Sequence, residues 1–542
     1  MRIFKTFISL LYVIFFVNIA YSQNIERPKL VVGIIVDQMR FDYLYRFNSL
    51  YGEDGFNRLM NGGSNFTFAH FNYDLTSTAM GHASIYTGTT PFYHGIIGND
   101  IFIRNIHKMV FCIKDSSVKS VGSNDDEGQK SPRNLFSTTI TDQLKLASNG
   151  LSKVISISLK DRGAVLPGGH FPNGAFWYDE ETGDFITSSY YMNSLPAWIT
   201  DFNERKLVKQ YLSENWELSF PSGIYNLCTS DESKYEYDLF NEGDTSFPHS
   251  FGNLTEAGRY AHLGDTPSGN QILVELAKAA LINENLGNGN QTDFLAISFS
   301  APDHVGHGYG IFSYELMDMY IKLDNQLAEL LKILDAHVGS GNYLLFLTAD
   351  HAAMETPAYM LDHNLPAGAL VLKRLTDSLH TFSKKVFGDE KIIENLSNRQ
   401  IYLNRDLISK MNLDFHNVEK ETADFLRNSF PEITSIFTRD FLETQTASRE
   451  PTNFILNGFH PNLSGDLAYN MHPGFLNNIL EKGTTHGSSY NYDTHVPMIF
   501  YGWHIPVQTE NTPVYIVDIA ATIADLLKII EPNACIGIPL IK

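Results

Sequence analysis

Lys29-Leu30-Val31-Val32-Gly33-Ile34-Ile35-Val36, closed by Asp37, is the stretch that decides the fold. It has no polar/apolar alternation and is rich in β-branched residues, so it reads as a strand buried on both faces. The same pattern recurs outward along the chain. Val154 to Leu159 leads into Lys160, Phe294 to Phe299 precedes Asp303, Tyr343 to Thr348 precedes Asp350 and His351, and Pro497 to Tyr501 follows His486. Between these runs lie helix-like stretches, among them Ser137 to Ala147 and Tyr314 to Leu334. Strands alternating with helices predict an α/β fold with a mainly parallel sheet and helices on both faces. The Asp, His and Lys residues gather just after the strands, where such sheets bind ligands.

Two long segments break the alternation: Gly168 to about Leu286, and Glu355 to about Gly483. They read as insertions forming a cap on a single catalytic domain, residues 23–542. Residues 1–22 read as a signal peptide. Arg2 and Lys5 precede an apolar run from Phe7 to Ala20, and Ala20 and Ser22 are the small residues before a cut at Gln23. The expectation is an exported protein, periplasmic or secreted. No later run is apolar enough to span a bilayer, so no stable membrane anchor is expected after cleavage. The net charge of −21 excludes general nucleic-acid binding, which needs a basic face. It does not exclude an anionic substrate in a locally cationic cleft. Three cysteines, Cys112, Cys228 and Cys535, permit one disulfide at most.

Six Asp and His residues fall in four groups spread over separate strand ends: Asp37; Asp303 with His307, one helical turn apart; Asp350 with His351; and His486 in Thr484-Thr485-His486-Gly487. Imidazole nitrogen and carboxylate oxygen suit Zn²⁺, and six ligands suit two ions better than one. Each residue alone is an ordinary cap or structural histidine; the joint pattern carries the reading. A nucleophile is expected in Thr76-Ser77-Thr78-Ala79-Met80-Gly81-His82-Ala83-Ser84, where a hydroxyl before small residues suits a helix start that favours anionic oxygen. Thr78 is the candidate, and chemistry alone leaves Ser77 and Ser84 open. Lys160 and Arg162 follow a strand at i,i+2 and would share a face if the extended geometry continues. Such a cationic pair suits an anionic group.

Val36-Asp37-Gln38-Met39-Arg40, Thr78-Ala79-Met80-Gly81-His82, Pro302-Asp303-His304-Val305-Gly306-His307, Thr348-Ala349-Asp350-His351 and Thr485-His486-Gly487 together resemble the alkaline phosphatase superfamily. The resemblance is nearest to the phosphate-irrepressible monomeric bacterial enzymes with a threonine nucleophile. It implies two Zn²⁺ cofactors, one held by Asp303, His307 and His486, the other by Asp37, Asp350, His351 and Thr78. It further implies attack by Thr78 to form phosphothreonine, phosphate contacts from Asn99, Lys160 and Arg162, small phosphate monoesters as substrates, a monomer and an alkaline optimum. Co²⁺ or Mn²⁺ also fit such ligands.

A phosphodiesterase or nucleotide pyrophosphatase of the same superfamily would keep the metal site and the threonine; Asn99, Lys160 and Arg162 count against it. A non-catalytic metal-binding surface protein is the second alternative, opposed by the intact nucleophile and ligands. A sulfatase is disfavoured, because no cysteine stands in the C/S-x-P-x-R context.

Overall fold

In the computed structural model, which describes residues 26–445, 452–477 and 481–541, the decisive run forms β1 (Leu30–Val36), with all seven residues buried. The main sheet also contains β2 (Ser64–His70), β3 (Val154–Ser158), β4 (Gly174–Asp179), β5 (Asp184–Ser188), β6 (Asp293–Phe299), β7 (Tyr343–Thr348) and β8 (His495–Gly502). Their spatial order is β2-β8-β7-β1-β6-β3-β4-β5, with short edge pairings at both ends. β7, β1, β6, β3 and β4 run parallel. The expected α/β class with a mainly parallel sheet is the observed one. β8 differs from its neighbours: it lies antiparallel on β7, pairing Thr348 with Met498. The start of β8 therefore sits at the same edge as the end of β7.

Helices cover both faces. α1 (Thr78–Thr87) is buried at all ten positions, which explains why it has no apolar stripe. It packs between α2 (Asp161–Gly168) and the Asp518–Leu527 helix. Gly33 in β1 permits this approach, since a Cβ there would lie 2.4 Å from the Tyr86 hydroxyl of α1. The expected helix from Ser137 begins later, at Ile140, because Thr139 and Asp142 close a reciprocal capping box. α3 (Ser268–Asn283), α4 (Ala301–Tyr309) and α5 (Tyr314–His337) complete the set used below.

Segment 168–286 is not wholly separate from the sheet, since it supplies β4, β5 and α3. Segment 355–483 holds a second, antiparallel sheet of Ile393–Ser397, Gln400–Leu403, Leu467–Met471 and Ile433–Thr438. That sheet has its own apolar core around Leu375, Ile401, Leu426 and Tyr469. Cys112, Cys228 and Cys535 are all free thiols. Among the described residues no helix is long and apolar enough to cross a membrane. The expected signal peptide lies outside the described residues.

Candidate active site

Parallel strands end at one edge, so the residues after β1, β6, β7 and β3 converge there. Asp37 directly follows β1, and its N–H donates to Phe299 at the end of β6 (3.0 Å). Asp350 and His351 follow β7. Asp303 and His307 lie one turn apart on α4, with His307 Nε2 3.2 Å from Asp303 Oδ1. His486 arrives from the segment leading into β8 and stacks on His351, ring centres 3.5 Å apart. The structure thus brings all six sequence candidates into one cluster. Asp37, Asp350 and His351 each place a ligand atom within 4.8 Å of the others, and so do Asp303, His351 and His486. His351 is shared between the two groups; His307 joins through Asp303.

The histidine protons are fixed by the backbone. Nδ1 of His307 donates to Thr484 O (2.7 Å), that of His351 to Ala352 O (3.1 Å) and that of His486 to Thr76 O (2.9 Å). A carbonyl only accepts, so Nδ1 carries a proton in each ring and Nε2 is the nitrogen turned inward, the one that binds a metal once it is free of a proton. Asp37 Oδ1, Asp350 Oδ2 and His351 Nε2 are buried without hydrogen-bond partners, yet His351 Nε2 is 3.4 Å from Asp37 Oδ1 and 3.6 Å from Asp350 Oδ2. Three electron-rich atoms facing each other in a dry interior repel unless a cation joins them. The residues present therefore fit metal ions, and their N/O donor set suits Zn²⁺.

The electrostatics agree. Burial, then Asp303 and Asp350, push the Asp37 carboxyl well above its usual range. Burial would also raise Asp303, but His307 and Lys160 outweigh it and hold that carboxyl well below. Burial and the neighbouring His351 keep His486 neutral, well below the usual imidazole value.

Thr78 is the first residue of α1 and is buried, 2% exposed. Gly81, one turn on, lets the helix press on the second ligand group: a Cβ there would lie 2.2 Å from the Asp350 carbonyl. Asn99 Oδ1 accepts the Ala79 N–H (3.0 Å), which fixes its NH₂ donors beside the same helix start. Lys160 Nζ lies 2.6 Å from Asp37 Oδ2 and also contacts Asp303 Oδ2.

The shared extended face expected for Lys160 and Arg162 is not formed. Lys160 is the last extended residue, and α2 begins at Asp161, placing Arg162 in its first turn. Both nonetheless line one cleft of about 500 Å³ with Trp177, Tyr178 and His304. Arg162 sits 5.8 Å from the Phe111 ring, its Nε buried without a partner.

Two residues of the cluster lie inside the quoted motifs without being assigned a role by them. Gln38 adopts a left-handed backbone, φ 63°. Its N–H donates to Asp350 Oδ1 (3.2 Å) and its Nε2 to Asp303 Oδ1 (2.6 Å), tying the two ligand groups together. His82 bridges Thr78 O (2.8 Å) and Ser298 Oγ (2.8 Å) and lies 3.4 Å from Asp350 Oδ2. His94 and His495 are structural: His94 pairs with Ser84 (3.0 Å), and His495 stacks on Phe41 and His70.

Residues 31–486 match the family model of type I phosphodiesterases and nucleotide pyrophosphatases. The chain belongs to this family. Within it, the chain is 41% identical over 519 residues to alkaline phosphatase PhoV of Synechococcus elongatus, covering 95% of this chain and 93% of that protein. It is 40% identical to a Myroides odoratus protein named calcium-transporting ATPase, covering 96% and 95%. Alkaline phosphatase PafA of Elizabethkingia meningoseptica is 38% identical over 520 residues, covering 96% and 95%. The wild-type PafA crystal structure superposes with a TM-score of 0.92 over 96% of this chain and 99% of that one. Family and fold thus agree with the resemblance carried by the motifs, and place the chain among alkaline-phosphatase-type hydrolases.

Proposed function

We propose that this family member is an exported alkaline phosphatase that hydrolyses phosphate monoesters through phosphothreonine at Thr78. The observation that carries this reading is the position of Thr78. It opens a buried helix against a cluster of six metal-type ligands, with the Asn99 amide and the Lys160 ammonium at the same place. The relatives named alkaline phosphatases support it. In this reading Asp303, His307 and His486 hold one Zn²⁺, and Asp37, Asp350, His351 and Thr78 the other. The ions supply Lewis acidity to the attacking and leaving oxygens.

The side chains divide the remaining work. Thr78 loses its hydroxyl proton and Oγ1 forms a bond to phosphorus as the P–O bond to the ester oxygen breaks, the departing oxygen taking up a proton; water then gives up a proton as its oxygen bonds phosphorus, the Oγ1–P bond breaks, and Oγ1 regains a proton as phosphate leaves. The α1 N-terminus favours the anion throughout. Asn99 donates to a non-bridging oxygen. Bound metal would engage Asp37 and Asp303 and free Lys160 to contact phosphoryl oxygens, where Arg162 would supply a second cation. One catalytic domain spanning 23–542, acting as a monomer, accounts for all these parts.

Metal content and turnover together test it. Thr78→Ala should abolish monoester turnover while leaving two metal ions per chain, because three protein ligands remain at the second site. Substantial residual turnover, or loss of both metals, contradicts the assignment. The family description favours a phosphodiesterase as the second reading, which leaves the three phosphate-binding residues without a purpose.

A further inference from the structure

Asn99 opens a two-stranded ribbon, Asp100–Ile103 paired antiparallel with Lys108–Phe111. The ribbon returns to the phosphate-binding residues at its other end. The Cys112 N–H donates to Asn99 O (2.8 Å), and the Phe111 ring lies under the Arg162 guanidinium at 5.8 Å.

The second sheet, in segment 355–483, grips this ribbon. Arg104 Nη2 donates to Asp466 Oδ2 (3.0 Å), and its guanidinium lies over the Tyr402 ring at 4.9 Å. His107 Nδ1 meets Glu394 Oε1. At the end nearest Asn99 the contact is made by the turn between Ile393–Ser397 and Gln400–Leu403. Ser397 pairs with Gln400, so Asn398 and Arg399 are the two central residues of that turn. Both are left-handed, φ 52° and 55°, the backbone that a type I′ hairpin turn requires and that Asn tolerates well. Asn398 Nδ2 donates to Asp100 O (2.7 Å). The same nitrogen would lie 2.4 Å from a Cβ at Gly98. One amide thus presses on the residue before Asn99 and bonds the residue after it.

Three hydrogen bonds then fix the Gly98–Asp100 segment. The Ala79 N–H holds Asn99 Oδ1, the Cys112 N–H holds the Asn99 carbonyl, and Asn398 holds the Asp100 carbonyl. The first turns the Asn99 NH₂ outward at the start of α1; the other two hold the backbone from which that side chain projects. Displacing a substrate-orienting group by about 1 Å costs up to about 100-fold in rate.

We infer that Asn398 is a positioning residue for substrate recognition: from the second sheet it clamps the Gly98–Asp100 backbone and so aims the Asn99 amide at a phosphoryl group beside Thr78. It touches no substrate atom. The inference rests on the phosphate-binding role proposed for Asn99, and it gives segment 355–483 a part in recognition.

The test compares kcat/KM of the full zinc-loaded protein on an aryl phosphate monoester for Asn398→Gly, Asn99→Ala and the double variant. Glycine accepts the left-handed turn, so the turn is kept while the amide is removed. Asn398→Gly should lower kcat/KM about 10-fold with zinc content unchanged, and should cost nothing further once Asn99 is alanine. Asn398→Asp keeps the turn and the side-chain shape but lacks the donor, so it should lose as much as glycine. Losses that multiply in the double variant overturn the inference, because Asn398 would then act elsewhere than through Asn99. So does full activity in either Asn398 variant. An Asn99→Ala variant as active as wild type would instead remove the phosphate-binding role of Asn99 itself, and the inference with it.

Discussion

Gln38 is the residue whose removal separates metal binding from simple ligand count. It touches no substrate atom in the proposed reaction, yet it holds Asp303 and Asp350 through two hydrogen bonds. Loss of such an outer partner typically weakens metal binding about 10–100-fold. Gln38→Ala removes the side-chain bond to Asp303 and keeps the backbone bond to Asp350; it should lose zinc to a chelator at about 10–100-fold lower chelator concentration, and unchanged retention would remove the side chain from that role. Arg162→Ala should lower kcat/KM on a monoester far more than on a diester, because only the monoester dianion presents three free oxygens. Equal losses would mean that Arg162 merely supports the cleft. The ligands were legible in sequence because Asp and His after buried strands are conspicuous. Gln38 was not, because glutamine is no metal ligand and its role comes from a left-handed turn that joins two distant strand ends.

At the scale of elements, β1, β3, β6 and β7 were readable because strands buried on both faces are dominated by apolar and β-branched residues, with only small serines interrupting β3 and β6. β2, Ser64-Asn65-Phe66-Thr67-Phe68-Ala69-His70, was not, since polar residues interrupt it. β4 and β5 were hidden in an aromatic segment that read as an insertion. The helix start at Asp161 also escaped the strand-based reading of Lys160 and Arg162. α1 offers the sharpest test of an element. Gly81→Ala gains about 1 kcal/mol in helix propensity, but the added methyl meets the Asp350 backbone, and overpacking of this kind costs about 1–3 kcal/mol. The clash should win: Tm falls, and kcat/KM falls with it as Thr78 shifts from the ligand cluster. A higher Tm would show that α1 has room to move.

The whole molecule combines a sheet edge that gathers metal-type ligands with a second apolar core in segment 355–483. Burial pushes Glu419, in that second core, from 4.5 up to about 7. A carboxyl raised in the folded state holds a proton that the unfolded chain has released, so its stabilising effect is complete below 4.5 and is lost as pH rises through about 7. Glu419→Gln cannot ionise, so its Tm should gain on wild type as pH climbs across that window. A difference independent of pH would place the Glu419 carboxyl in its ordinary range.

The ester that the cluster cleaves is read most directly from its kinetics. The zinc-loaded protein should be assayed side by side on an aryl phosphate monoester and the matching diester, comparing kcat/KM. Asn99, Lys160 and Arg162 around Thr78 predict a strong monoester preference. A diester preference would leave the fold and the metal ligands standing but contradict the phosphomonoesterase account.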